Sequence, residues 1–136
     1  MGNGKTPLYL TLAAAVLFVL AVLTIQPYSV TSPWHVYDEP ARLYLQAAAR
    51  GDSLDLARRT SDPSAVRWAL AAARAEPDSL ALWAHEARAW AGHHRGDATD
   101  VFLSTRVSTC DLVMRFVGAG KSTRVERASS ACLEPR

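Results

Sequence analysis

The sequence predicts an α+β protein in which one N-terminal transmembrane helix is followed by a small domain of about four helices and a three-stranded antiparallel meander. Three observations predict it. The stretch 8–25 contains no charged residue, no glycine and no proline. Between residues 38 and 91, apolar side chains recur at helical spacing between prolines and capping residues. After residue 100 that spacing changes to two, which is typical of strands.

Length and charge limit the function classes. A chain of 136 residues has room for one small domain beside the apolar stretch. The net charge is only +2, and acidic and basic residues alternate without a basic run. We therefore expect no nucleic-acid partner, because nucleic-acid binding needs clustered positive charge.

The apolar stretch is long enough for a membrane span. Its 18 residues reach ~27 Å as a helix, close to the thickness of a bilayer core. We predict a transmembrane helix over 8–26, with Tyr9, Tyr28 and Trp34 at the two interfaces. A cleaved signal peptide is the alternative. The run is longer than a usual signal core, and no small-residue cleavage site follows it.

The charges beside this stretch predict its orientation. The tail 1–7 carries Lys5, whereas Asp38 and Glu39 precede the first cation on the other side. Positive flanks face the cytoplasm. The expected location is therefore the bacterial inner membrane as a single-pass protein, with a cytoplasmic tail and an extracytoplasmic, periplasmic domain over 38–136.

An aromatic juxtamembrane linker over 27–37 precedes the first helix of the domain. Its two prolines stop the preceding helix. The first domain helix is predicted over 38–50, with Asp38 as its N-cap and Gly51 as its left-handed C-cap. Its buried face consists of Leu43, Ala47 and, as a further candidate, Tyr44.

Three further helices are predicted over 54–59, 63–75 and 79–91, and a polar loop follows over 93–100. The capping side chains are Asp52 or Ser53, then Asp62, then Asp78. At helical spacing, Leu54, Trp83 and Trp90 are expected in the core.

Three strands are predicted over 101–108, 112–117 and 124–133. In a meander of these strands, Cys110 and Cys132 lie at strand ends on one edge of the sheet. A disulfide between them would close a loop of about 20 residues and stabilise the fold by ~3 kcal/mol. Two small buried thiols are the alternative.

The string over 118–123, GAGKST, looks like the end of a phosphate-binding loop. The first glycine of that pattern is replaced by Arg115, and the following residues read as a strand rather than a helix. A phosphate-binding loop must open a helix. We therefore predict a hairpin turn here.

Two groups of polar residues are candidates for chemistry. His85, His93 and His94 could bind zinc, and exposed loop histidines are the alternative. Asp38 with His35 could serve in acid–base catalysis, and a helix start is the alternative. We assign no catalytic residue, no metal and no cofactor, and we expect a protein that is not an enzyme.

The string ARLYLQAAARGD over 41–52 resembles the first helix of the NTF2-like (SnoaL-type) family, and 54–60 is similar to its second helix. The order of helices followed by an antiparallel meander also resembles this family. The resemblance implies an α+β cone. The alternative function that it implies is a membrane-tethered ligand-binding or enzymatic domain, with no functional residue carried over.

The function predicted from the sequence is a non-catalytic accessory subunit that packs into a larger membrane complex. A bioenergetic complex, either a photosynthetic reaction-centre–antenna assembly or a respiratory one, is the candidate, and an envelope adaptor is a further alternative. The expected partners are other transmembrane subunits and the lipid bilayer. The expected partner-binding residues are Ala14, Ala21, Tyr28, Trp34 and Tyr37.

Overall fold

A computed structural model of the protein describes residues 6–30, 32–106 and 110–133, without the side chains of residues 6 and 22–30. The chain divides into two compact units. The first is Met1–Ser32 and the second is Pro33–Arg136.

The first unit is a single long helix, α1, over Thr6–Val30. Every described side chain on it, from residue 7 to residue 21, is exposed. The hydroxyl of Thr11 donates a hydrogen bond to the carbonyl of Pro7 at 2.8 Å, so even this polar group is satisfied within the helix. The described part of α1 therefore presents apolar side chains on all of its sides.

Within the described residues, the protein has no helix that combines the length and the apolar character needed to cross a membrane. This finding contradicts the transmembrane helix predicted over 8–26. It also contradicts the single-pass topology and the inner-membrane location that followed from that prediction.

The second unit begins with helices. A 3₁₀ turn at Pro33–Tyr37 leads into α2 at Asp38–Ala49, α3 at Ser53–Arg59, α4 at Pro63–Ala75 and α5 at Pro77–Glu86. The predicted bounds of the first three of these helices are confirmed to within one residue. Their starts and stops depend on local side chains and prolines, which sequence patterns report well.

The caps explain this agreement. Gly51 adopts φ +67°, and its N–H donates to the carbonyl of Ala48, which closes α2 as predicted. The carboxylates of Asp52 and Asp62 accept backbone N–H groups at 3.1 and 2.8 Å, which opens α3 and α4. The predicted cap Asp78 is wrong, because α5 begins two residues earlier, directly after Glu76.

Four strands follow instead of three. They are β1 at Arg88–Arg95, β2 at Ala98–Ser104, β3 at Leu112–Val117 and β4 at Arg124–Ser129. They form one antiparallel sheet in the order β1-β2-β3-β4. The helix predicted over 79–91 is wrong in its second half, because Ala87 turns to an extended ψ of 129° and β1 starts there. The predicted polar loop 93–100 is accordingly part of the hairpin that joins β1 to β2.

The core lies between the helices and one face of this sheet. Tyr44 of α2 and Trp83 of α5 are its largest fully buried side chains. The hydroxyl of Tyr44 donates to the carbonyl of Ala65 at 2.7 Å, and burial raises the pKa of this phenol. Leu54 and Trp90, both expected in the core, are 73% and 55% exposed.

Two tethers hold the strand β4 in place. A disulfide joins Cys110, shortly before β3, to Cys132, shortly after β4, with Cα atoms 6.0 Å apart. On the other side, Thr60 forms a parallel bridge with Val125, and the N–H of Ser61 donates to the Val125 carbonyl at 2.9 Å. Both ends of the last strand are therefore fastened to earlier parts of the chain.

Candidate functional site

The face of the sheet that points away from the helices is the first candidate site. Along β2 and β3 each buried residue alternates with a half-exposed one. We call the half-exposed and exposed side the outer face. Its main side chains are Trp90, His93, Arg95, Asp100, Phe102, Val113, Arg115, Arg124, Arg127 and Ser129.

Strand register brings a row of charged side chains together on the outer face. Asp100 pairs with His93 on one side and with Arg115 on the other, and Arg115 pairs with Arg127. The Arg115 guanidinium donates to both oxygens of Asp100, at 2.8 and 3.3 Å. The Nε of Arg95 lies 3.5 Å from the same carboxylate. One carboxylate thus sits among several cations.

These hydrogen bonds change the acidity of both partners. The bond from Arg115 lowers the pKa of the Asp100 carboxyl, and the pKa of the Arg115 guanidinium is raised by the same bond. Asp100 and Arg115 are therefore a fixed ion pair at neutral pH, which positions the guanidinium plane on the outer face.

Arg124 and Arg127 add positive charge without a close ion pair among the described residues, although Arg127 lies near enough to Asp62 to help lower the pKa of that carboxyl. Both side chains are exposed, and no described carboxylate lies within 4.0 Å of either guanidinium. A cleft of about 170 Å³ lies beside them, lined by Asp100, Val113, Arg115, Arg127 and Ser129. Two guanidinium groups and a hydroxyl border it, which are donors suited to an anionic group.

The other half of the outer face is aromatic. The rings of Trp90 and Phe102 lie 6.1 Å apart with their planes tilted by 49°. The indole N–H of Trp90 donates to Asp111 at 3.3 Å, so the exposed ring is held in one orientation. Phe102 pairs in register with Val113, which continues the apolar area toward the charged row.

The acidic residue at the start of α2 has a structural partner far along the chain. Asp38 does not cap α2, since Tyr37 is the N-cap, and the predicted cap is wrong. Its Oδ1 accepts the backbone N–H of Ala89 at 2.7 Å, and its Oδ2 lies 2.9 Å from the Nδ1 of His35. Asp38 thus fastens the helices to β1.

The three histidines considered for zinc do not come together. His94 hydrogen-bonds Thr99 at 2.9 Å, His93 lies on the outer face, and His85 lines a separate cleft. Among the described residues, no group of three or more His, Cys, Asp or Glu side chains is arranged to hold a metal ion. The structure therefore brings no metal-ligand set together in this part of the chain.

A second cleft, of about 450 Å³, lies where α5 passes into β1, and the sequence did not point to it. Its lining consists of His85, Glu86, Arg88, Ser104, Thr105 and Arg106. One buried oxygen of Glu86 has no hydrogen-bond partner among the described residues. The lining is charged and hydroxylic, which suits a polar ligand.

The phosphate-loop-like string forms a turn between two strands. It lies in the connection from β3 to β4, as predicted. The Ser122 hydroxyl donates to the carbonyl of Ala119 at 2.7 Å, and the Thr123 hydroxyl donates to the carbonyl of Gly120 at 2.9 Å. Both hydroxyls are therefore used to close the turn.

The predicted partner-binding residues fall into two groups. Ala14 and Ala21 are exposed on α1. Tyr28 lies on the same helix, and its side chain falls outside the described ones. The binding roles of these three residues stay predictions.

Trp34 and Tyr37 pack against the second unit. The Trp34 ring covers Gly92 so closely that a Cβ on this glycine would lie 2.5 Å from the ring atoms. The Tyr37 ring lies 4.9 Å from that of Phe116. Both side chains are half-buried against the core, and their partner-binding role also stays a prediction.

Comparison of the chain with protein-family models, curated proteins and solved structures finds no match. The resemblance to the NTF2-like family accordingly stays a prediction.

Proposed function

We propose that the protein is a non-catalytic accessory subunit that joins a larger protein complex through the apolar surface of α1. The observation that supports this most is the exposure of that helix. Nine of its large apolar side chains are between 53% and 70% exposed. They are Leu8, Tyr9, Leu10, Leu12, Val16, Leu17, Phe18, Val19 and Leu20.

The physical argument is the cost of leaving this surface in water. Helices that are apolar on every side are found buried, whereas surface helices carry one apolar stripe. Fully burying one large apolar side chain is worth about 1.5–3 kcal/mol. An exposed apolar surface of this extent typically marks an interaction site. Partner helices that surround α1 would supply the burial that the described part of the chain does not.

The second unit supports a role without catalysis. Two of the polar groups considered for chemistry have structural partners, since Asp38 accepts the N–H of Ala89 and Ser122 donates to the carbonyl of Ala119. The burial of this carboxylate is explained by the hydrogen bonds that it accepts and requires no catalytic role. We infer that this unit gives the subunit a second folded part in addition to its binding helix.

The alternative is a ligand-binding or enzymatic domain of the NTF2-like type. Such a domain needs a deep, mostly apolar pocket with a few convergent polar groups. The cleft beside Glu86 is lined by charged and hydroxyl-bearing side chains instead. The geometry therefore favours the accessory subunit.

Purification from the cells that make the protein tests the proposal. We expect a tagged full-length chain in mild detergent to elute with the same larger proteins at a fixed stoichiometry, measured by size exclusion and quantitative mass spectrometry. Leu17→Asp should remove these partners, because it places a charge on the apolar surface of α1. Leu54→Asp is the matched control, since Leu54 is similarly exposed, at 73% against 67%, but lies on α3.

Three results would overturn the proposal. The wild-type chain could elute alone, Leu54→Asp could disrupt the complex as much as Leu17→Asp, or the purified chain could float with phosphatidylcholine vesicles without any protein partner. The last result would identify lipid, rather than protein, as the occupant of the α1 surface.

A further inference from the structure

We infer that the outer face of the sheet binds an acidic segment of a partner protein in which carboxylates alternate with apolar side chains. This inference rests on the proposed function in one respect only, which is that the segment belongs to another subunit of the same complex. It concerns a surface on the second unit, whereas the proposed function concerns α1.

Charge complementarity is the first argument. Four arginines, Arg95, Arg115, Arg124 and Arg127, project from three different strands onto this face. Asp100 engages the first two of them. The other two have no described carboxylate within 4.0 Å, and Asp62 attracts Arg127 only from a greater distance. Four arginines against Asp100, Asp111 and Glu126 leave this face a small excess of positive charge. A partner of opposite charge is attracted to it and held in register.

The shape of the charged half suits a carboxylate. The cleft of about 170 Å³ places the guanidinium groups of Arg115 and Arg127 beside Ser129, and the Asp100 carboxylate in its lining is already paired with Arg115. Arg115 is already oriented by its two hydrogen bonds to Asp100, so little rotamer entropy is lost when it contacts a second anion. A side-chain carboxylate has the size and the acceptor geometry for such a cleft.

The apolar half of the outer face indicates which type of side chain flanks that carboxylate in the bound segment. Val113 lines the cleft and pairs with Phe102, whose ring contacts that of Trp90. Trp and Arg are among the residue types that dominate binding energy at protein interfaces, and this face carries both. A segment that crosses the face therefore meets positive charge first and an apolar area next.

A protein segment fits these observations better than a nucleic acid does. Three carboxylates lie on or beside the face, since Asp100 is central, Asp111 holds Trp90 and Glu126 acts on Arg115. These carboxylates repel any anion that lies directly against them. A segment with separated carboxylates can place each of its charges between them, whereas a nucleic acid carries a phosphate at every nucleotide. The 49° tilt between the two aromatic rings also leaves no pair of parallel ring faces for successive bases.

The test compares two double variants of the full-length chain in mild detergent. Arg124→Gln with Arg127→Gln removes two outer-face charges and leaves the pair of Asp100 with Arg115 intact. Arg58→Gln with Arg74→Gln removes two exposed helical charges and is the matched control. Both variants lose the same net charge. Thermal unfolding should give the wild-type midpoint for both, because all four side chains are exposed.

The probes are a fluorescein-labelled short peptide of alternating Glu and Leu, the same peptide with Gln in place of Glu, and a short oligothymidylate. We expect the Glu peptide to bind the wild-type chain in fluorescence anisotropy. In the outer-face variant, the affinity for the Glu peptide should fall roughly tenfold or more, since two charge-assisted contacts are lost. The helical control should stay within about twofold, because its charges lie outside the contact.

Each other result overturns the inference. Equal binding of the Gln peptide would show that charge is not recognised, and equal weakening in both variants would show a net-charge effect only. Tighter binding of the oligothymidylate than of the Glu peptide, lost in the outer-face variant, would assign the face to nucleic acid. Unchanged peptide binding in the outer-face variant would place the contact elsewhere.

Failure of this inference and failure of the proposed function can be told apart. If the complex is recovered through α1 but the Glu peptide does not bind the outer face, only the inference fails. If the peptide binds as expected and the chain still elutes alone from cells, only the proposed function fails.

Discussion

The two faces of the sheet are built from alternate residues of the same strands, yet they differ in almost every physical respect. On the face toward the helices, Leu103 and Leu112 are fully buried. On the outer face, their neighbours Phe102 and Val113 are only half-buried, and Val113 lies beside Arg115 and Arg127. One face is covered by helices of its own unit, and the other is not covered by any described element of that unit.

This difference shows how one small sheet can serve two purposes. Burial of the inner face stabilises the fold through the hydrophobic effect. Charges on the outer face contribute little to stability because they remain in contact with water. Such charges are free to serve recognition instead.

The largest loss of stability is expected from Leu103→Ala on the inner face. Leu103 is fully buried, and its truncation should cost about 2–5 kcal/mol of unfolding free energy. Val113→Ala on the outer face should cost less than about 1 kcal/mol, because this side chain is half-exposed. Urea unfolding followed by tryptophan fluorescence measures both. Similar losses for the two variants would remove the distinction between the faces.

Removal of the disulfide should cause the next largest loss of stability. The cysteines are 22 residues apart, so Cys110→Ala with Cys132→Ala should destabilise the protein by ~3 kcal/mol through a larger unfolded-state entropy. Reduction of the wild-type protein should lower its urea midpoint by the same amount. If the reduced wild-type protein and the double variant both kept the wild-type midpoint, the bridge would make no contribution to stability.

Substitution of Asp38 should cause an intermediate loss of stability. Asp38→Ala leaves the N–H of the buried Ala89 without an acceptor, which should cost about 1–3 kcal/mol. Asp38→Asn keeps an oxygen acceptor and should cost less. Glu39→Gln, at the exposed neighbouring position, should be neutral in thermal unfolding. A neutral Asp38→Ala would contradict the fastening role that the hydrogen bond indicates.

The smallest effect is expected from the ion pair on the outer face, and it depends on pH. The pKa of Asp100 is lower in the folded than in the unfolded protein. The ion pair therefore stabilises the fold above pH ~4, where the aspartate of the unfolded chain is already ionised. This stability is lost as pH falls through the folded pKa. Asp100→Asn should lower stability at pH 7 by less than about 1 kcal/mol.

Stability measured against pH for Asp100→Asn and the wild-type protein checks this sign. The difference between the two curves should shrink as the pH falls below 4. A difference that grows in acid would mean that protonated Asp100 stabilises the fold, which is the opposite sign.

Local signals explain which parts of the fold the sequence predicted. The left-handed Gly51 and the cap at Asp62 act within a few residues, and the helices that they delimit are confirmed. The change from helix to strand at Ala87 does not depend on local signals. Ala-rich sequence around Trp83 and Trp90 keeps helical spacing, but pairing of β1 with β2 overrides that preference. Trp90 therefore leaves the predicted core and lies on the outer face.

Sequence patterns did not predict the outer face for a related reason. Arg115 and Arg127 are separated along the chain, and each is flanked by residues that do not extend a basic run. Only strand register places them side by side. A search for consecutive positive charges therefore misses a surface whose charges come from three strands, while the turn at Gly120 needed only adjacent residues.

The bridge between Thr60 and Val125 has a consequence for self-association. Open edge strands offer unpaired N–H and C=O groups to other chains, and they are the usual starting points for fibre growth. At β4 the segment around Thr60 occupies part of that edge, because the N–H of Ser61 already bonds the Val125 carbonyl. At the opposite edge, β1 carries His93 and Arg95, and such polar side chains disfavour pairing of this edge with a strand of another chain. The protein therefore shields both borders of its sheet against polymerisation.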